Sequence, residues 1–109
     1  MIRVINRNTT VTAIMDGEID HCSCGIYRDR IEKAIRDSAV KELRLDFTQV
    51  TFMDSSGVGM LIGRYRTMAQ RGGRVVATGL NMQMERLFRF AGLHRIIALE
   101  ETKGEAVNE

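Results

Sequence analysis

Residues 43–68 read LRLDFTQVTFMDSSGVGMLIGRYRTM. Leu43, Leu45 and Phe47 alternate with Arg44 and Asp46, the period-two pattern of a strand with one buried face. From Val58 the period changes. Val58, Leu61, Ile62, Tyr65, Met68 and Ala69 recur at i, i+3, i+4 and i+7, a single stripe of a helix. The join, Phe52 to Gly57, drops from bulky apolar side chains to a carboxylate, two hydroxyls and a glycine. A strand that feeds a helix through a short polar turn is half of a βαβ unit. It predicts parallel strands joined by right-handed crossovers.

The flanks extend this pattern. Ile2–Ile5 and Val11–Met15 are short apolar runs separated by Asn6-Arg7-Asn8-Thr9-Thr10, a composition that favours a turn, so they read as a hairpin. Asp16-Gly17 reads as the break that ends the second strand. A helix follows with Tyr27, Ile31, Ala34, Ile35 and Ala39 on one face and Arg28, Glu32, Lys33 and Arg36 largely on the other. Beyond the central stretch, Gly72-Gly73 ends the second helix and Val75-Val76-Ala77 is a buried strand. Asn81 suits the cap of a third helix in which Met84, Leu87, Phe88 and Ala91 share a face. Gly92 stands where a helix C-terminus takes left-handed backbone. Ile96–Leu99 reads as a last strand, and the polar tail from Glu100 to Glu109 has room for at most a short helix. The expected body is α/β: a mixed four- to five-stranded sheet with an N-terminal hairpin and helices packed against it.

With 109 residues, one domain spanning 1–109 is expected, large enough to fold without disulfides or metal. A net charge of +2, with basic residues scattered and few aromatics, argues against direct nucleic-acid binding. No apolar run approaches the length of a membrane span, and MIRVINRNTT lacks the apolar stretch of a signal peptide. A cytoplasmic protein is expected. Cys22 and Cys24 are the only cysteines and sit too close for an ordinary structural bridge. With His21 they offer half a zinc site, but no second cluster completes it, His94 being the one other histidine. Reduced thiols on or near a helix are expected.

Enzyme chemistries fare poorly. Met53-Asp54-Ser55-Ser56-Gly57 lacks the G-x-S-x-G of a serine hydrolase, and neither histidine is placed for a triad. Gly57-Val58-Gly59 followed by Gly63-Arg64 lacks the lysine and hydroxyl of a P-loop. Asp16, Glu18, Asp20 and Asp54 have no diagnostic metal-ligand spacing. No cofactor is implied.

After a strand, such a turn is the usual functional position of an α/β fold. Ser55 or Ser56 serves as a helix cap or first-turn residue, and Asp54 can cap by itself. Two hydroxyls exceed what one cap requires. Gly57, Gly59 and Gly63 place poor helix formers in the first two turns, each costing about 1 kcal/mol against alanine. Gly59 and Gly63 share a face, which we read as flanked by an exposed Met60 and by Arg64. Backbone bared in this way suits either close approach by a partner or tight packing inside the domain. A serine at a helix N-terminus is also a suitable phosphorylation site, because free N–H groups and the helix dipole accept the phosphate.

Residues 43–68, together with GGRVVATGL (72–80) and ERLFRFAGLHRII (85–97), closely resemble the STAS-domain anti-sigma factor antagonists, the sporulation type above all. Gly17-Glu18-Ile19-Asp20-His21 is similar to that family's G-E-L-D segment, and the likeness spans roughly residues 10–100. Cys22-Ser23-Cys24 and the polar tail depart from the pattern. The resemblance implies a bacterial phosphorylation switch in a protein that is not itself an enzyme. The unmodified antagonist binds an anti-sigma factor that is also a serine kinase, and so frees the sigma factor. The kinase uses ATP to phosphorylate the serine before the motif glycine, here Ser56, and a metal-dependent serine phosphatase reverses the step. Asp20, Asp54 and Ser55 map to the surface around that serine. Gly57, Gly59, Met60, Gly63 and Arg64 complete the expected partner-binding set. The free protein is expected to be a monomer. The alternative is a STAS sensor or scaffold that holds a small ligand or self-assembles.

Overall fold

The structure, a computed structural model, describes residues 1–101. The expectation for the tail after Glu101 lies outside the described residues. In chain order the elements are β1 (Ile2–Arg7), β2 (Thr10–Ile19), α1 (Cys24–Ala34), β3 (Glu42–Met53), α2 (Ser55–Gln70), β4 (Arg74–Thr78), α3 (Met82–Phe90), a 3₁₀ turn (Leu93–Arg95) and β5 (Ala98–Glu100). The five strands form one sheet in the order β1-β2-β3-β4-β5. β1 and β2 are antiparallel, and every later pairing is parallel. Strand order that follows chain order means each crossover advances in the same direction. Crossovers of one hand then stack all three helices on one face of the sheet.

Burial follows that arrangement. Val11, Ala13, Met15, Leu43, Leu45 and Phe47 are fully buried, whereas Thr12, Ile14, Arg44 and Asp46 between them are half-buried. Phe88 of α3 meets Phe47 edge-on, with centroids 5.7 Å apart at 86°.

Several local expectations are corrected. The hairpin strands are longer and the turn tighter, with Asn8 at φ 56. Asp16-Gly17 does not end β2. The strand runs on to Ile19, with register shifts between Ile14 and Asp16 and between Gly17 and Glu18, and Gly17 takes φ 87. This is a bulge, accommodated by glycine's freedom at positive φ. The Tyr27 hydroxyl secures it by donating to the Asp16 carbonyl. Ala39 lies beyond α1 and is exposed. The last strand starts at Ala98 rather than Ile96, because Leu93–Arg95 winds into the 3₁₀ turn. Asn81 caps α3, its side chain accepting from the Met84 N–H at 2.8 Å, and Gly92 is left-handed.

β4 pairs with β3 only from Glu42 to Asp46, so the rest of β3 projects past β4 as a two-stranded ribbon with β2. α1 and α2 lie side by side and are joined at three levels. The His21 N–H donates to Asp54 at 3.3 Å, Arg64 pairs with Glu32 at 3.0 Å, and Arg71 donates to the carbonyls of Ile35 and Val40.

Candidate functional site

The carboxyl ends of the parallel strands face the first turns of the three helices. There β3 ends at Met53 and α2 begins at Ser55. Asp54 between them is extended, with φ -109 and ψ -171, and its carboxylate accepts from the Ser56 N–H at 2.8 Å. Its other oxygen accepts from the His21 N–H, and its own N–H donates to the Ile19 carbonyl at 3.2 Å. Asp54 is therefore the cap, and it ties the start of α2 to the end of β2 and the following loop. Neither serine is needed for capping. Ser55 is exposed and Ser56 half-buried, and among the described residues neither hydroxyl makes a hydrogen bond.

Asp20 lies on the loop reached through His21. Its carboxylate accepts from the N–H groups of Cys22 and Ser23 and from the Ser23 hydroxyl. These bonds, the Ser23 backbone N–H foremost, hold its pKa below the ordinary aspartate value. Asp20 thus builds the turn into α1, and its neighbour His21 connects that turn to Asp54. This backbone link has no sequence signature, since any residue but proline at 21 supplies the N–H. Cys22 and Cys24 are free thiols on this segment. Among the described residues, no three Asp, Glu, His or Cys side chains gather as metal ligands.

The glycines divide by role. At Gly57 a Cβ would collide with Met53 Cγ and stand 2.7 Å from Met53 Sδ and 3.1 Å from Ile19 Cγ2, so its backbone packs directly onto the core. At Gly59 and Gly63 a Cβ would meet nothing within 4 Å. At 100° per residue, Ser55, Ser56, Gly59 and Gly63 fall on one side of α2.

Met60 and Arg64 require correction. Expected beside the open face, they are 6% and 7% exposed and belong to the core. The buried stripe is Gly57, Met60, Leu61, Arg64 and Met68, while Val58, Ile62 and Tyr65 are half-buried and Ala69 is exposed. The helix is rotated from the hydropathy reading because small Gly57 admits the sheet and the Arg64 stem counts as apolar volume. Arg64 Nη2 pairs with Glu32, Nε and Nη1 are buried without partners, and burial lowers its pKa. Neither side chain is available to a docking partner.

The model of the STAS domain family matches residues 2–106. The chain belongs to the STAS domain family. An anti-sigma-B factor antagonist of Listeria monocytogenes is 33% identical over 108 residues, covering 95% of this STAS domain chain and 91% of its own. An anti-sigma F factor antagonist of Paenibacillus polymyxa is 30% identical over 95 residues, 87% of this chain and 81% of that one. The solved structure of the Bacillus cell fate determinant SpoIIAA in its phosphorylated form matches with a TM-score of 0.74 at 31% identity, over 99% of this chain and 97% of that one. The mixed sheet with its N-terminal hairpin is thus the STAS fold. In this STAS domain, Asp54 joins the start of α2 to the Asp20–His21 turn through the His21 N–H. No helix among the described residues is long and apolar enough to cross a membrane.

Proposed function

We propose that this chain is an anti-sigma factor antagonist whose unmodified form binds a serine-kinase anti-sigma factor in the cytoplasm and releases the sigma factor, and that phosphorylation of Ser56 ends the binding. The observation that carries the reading is the spare hydroxyl: Asp54 caps α2, leaving Ser56 Oγ without an internal task at a helix N-terminus. Transfer forms an O–P bond at Ser56 Oγ and breaks the γ-phosphoryl bond of ATP. ADP leaves, and the hydroxyl proton passes to a base on the kinase. A serine phosphatase restores the hydroxyl.

Magnitudes favour a switch without refolding. Phosphate adds a charge of about −1.5 to −2. Attraction to the helix terminus returns about 0.3–1 kcal/mol, and the Asp54 carboxylate, two residues before Ser56 and bonded to its N–H, opposes it. The fold therefore neither gains nor loses much. A partner seated on the site meets a different balance. A hundredfold loss of affinity needs only about 2.7 kcal/mol, well within the cost of pressing an unpaired dianion into a dry interface. The open Gly59–Gly63 face beside the serines supports close approach of a partner backbone.

Incubation with the cognate anti-sigma kinase and ATP, followed by phosphosite mapping, tests the assignment. One phosphate on Ser56, absent from Ser56→Ala, is expected. Phosphate on Ser55 or on a threonine would contradict it.

A further inference from the structure

Six large apolar side chains are exposed among the described residues: Met1 and Ile5 at β1, Phe90 at the end of α3, and three that share one edge. Ile26, in the first turn of α1, is 55% exposed; Met82, which opens α3, is 72% exposed; Phe52, two residues before Asp54, is 40% exposed. All three lie along the edge of the molecule where the helices begin and β3 ends, the edge that carries Ser55 and Ser56. Side chains in a helix lean toward its N-terminus, so Ile26 and Met82 tilt over this edge. Within each element these positions are unforced. α1 turns Tyr27 and Ile31 inward and α3 turns Met84 and Phe88 inward, leaving Ile26 and Met82 outside the core.

We infer that Ile26, Phe52 and Met82 form an apolar frame around the Ser55–Ser56 surface and are the anchors by which the serine-kinase anti-sigma factor grips this chain. The inference rests on the reading under Proposed function. A kinase must bring its phosphate donor to Ser56 Oγ, so the footprint is centred there. A stable interface covers about 800 Å² per partner, a patch roughly 30 Å across. The molecule measures 36 × 35 × 26 Å, so a patch of that size spans most of the edge on which α1, α2 and α3 begin. The partner surface that fits has apolar pockets around a centre built to receive a neutral hydroxyl. Apolar contacts that exclude water around a polar centre also explain why one modification there has a large effect. Charge interactions strengthen as water leaves, and the dianion has no solvent to return to.

Phe90 supplies the control. It is 93% exposed, the largest value among these side chains, but closes α3 at the far end of that helix. It lies outside the frame.

The test is titration of the purified cognate anti-sigma factor, without ATP, with the full chain and with Ile26→Ser, Phe52→Ala, Met82→Ala, Phe90→Ala and Ser56→Asp. Each of the three frame variants is expected to weaken binding about fivefold or more, the loss that separates a contributing interface residue from a bystander. Their melting temperatures should stay within about 3 °C of the parent, as for ordinary surface substitutions. Phe90→Ala should bind within about twofold of the parent. If Ser56→Asp weakens binding but the frame variants do not, the frame is wrong and the phosphorylation reading survives. If Phe90→Ala weakens binding as much as they do, the footprint lies elsewhere and the frame is again wrong. If the free chain sediments as a dimer that the frame variants disperse, the surface belongs to a second copy. If the parent chain fails to bind the anti-sigma factor at all, both the reading and the frame fall.

Discussion

On the inward side of α2, Gly57 lies against Met53 and Ile19 with no room for a methyl group, while on the outward side Gly59 and Gly63 face open space. The inward side also holds Met60, Leu61, Arg64 and Met68, and the outward side holds the two serines with unengaged hydroxyls. One helix thus joins a surface that cannot change to a surface that spends helix propensity on staying bare. The inward glycine is explained by the fold alone. The outward pair is not: helix positions with open space for a Cβ would be more stable as alanine. This contrast separates what the domain requires from what a partner requires.

The comparison is broken most forcefully at Gly57. Gly57→Val should cost about 1–3 kcal/mol by overpacking against Met53 and Ile19, seen as a fall in melting temperature of roughly 4–8 °C for each kcal/mol. An unchanged melt would mean that the sheet yields at this point. On the other side, Gly59→Ala and Gly63→Ala should each raise stability by about 1 kcal/mol while weakening the complex with the anti-sigma factor. Stabilisation without any loss of binding would remove the functional reason for those glycines.

Arg64 gives the smallest and most diagnostic effect. Its guanidinium is buried with two nitrogens unpartnered and one half-exposed carboxylate opposite. Desolvation offsets much of that attraction, so Arg64→Met, which keeps the volume and drops the charge, should melt within about 1 kcal/mol of the parent or above it. Glu32→Ala leaves the cation without its partner and should melt below Arg64→Met. The reverse order would show that the ion pair stabilises the α1–α2 contact.

Much of the architecture was legible along the chain because period and punctuation agree. Leu43, Leu45 and Phe47 alternate, the helical stripe starts after Asp54, and Asn81 and Gly92 bound α3. What hydropathy misread was the phase of α2. Glycine carries no hydrophobic signal, so Gly57 marks its burial only through contacts made by Met53 and Ile19. Arginine is scored by its charge, although the stem of Arg64 packs as apolar volume and Glu32 on another helix receives the head. The bulge at Asp16-Gly17 was misread as a strand end for a related reason. Only pairing with the far part of β3, and the Tyr27 hydroxyl, carries β2 through it. At the site, the serines, the capping carboxylate and the acidic turn were visible as residue types. Their joining was not, because it runs through the backbone N–H of His21. Likewise, the exposure of Ile26, Phe52 and Met82 depends on which way each element turns its core face.

Central to the account is that a phosphate on Ser56 changes docking and leaves the domain as it was. The direct measurement prepares the chain fully phosphorylated on Ser56 and compares it with the unmodified form, reading affinity for the anti-sigma factor by calorimetry and stability by thermal melting. The account predicts a loss of affinity of about a hundredfold or more, with a melting temperature shifted by less than about 5 °C. A phosphorylated chain that still binds at full strength, or one that unfolds far below its unmodified form, would contradict it.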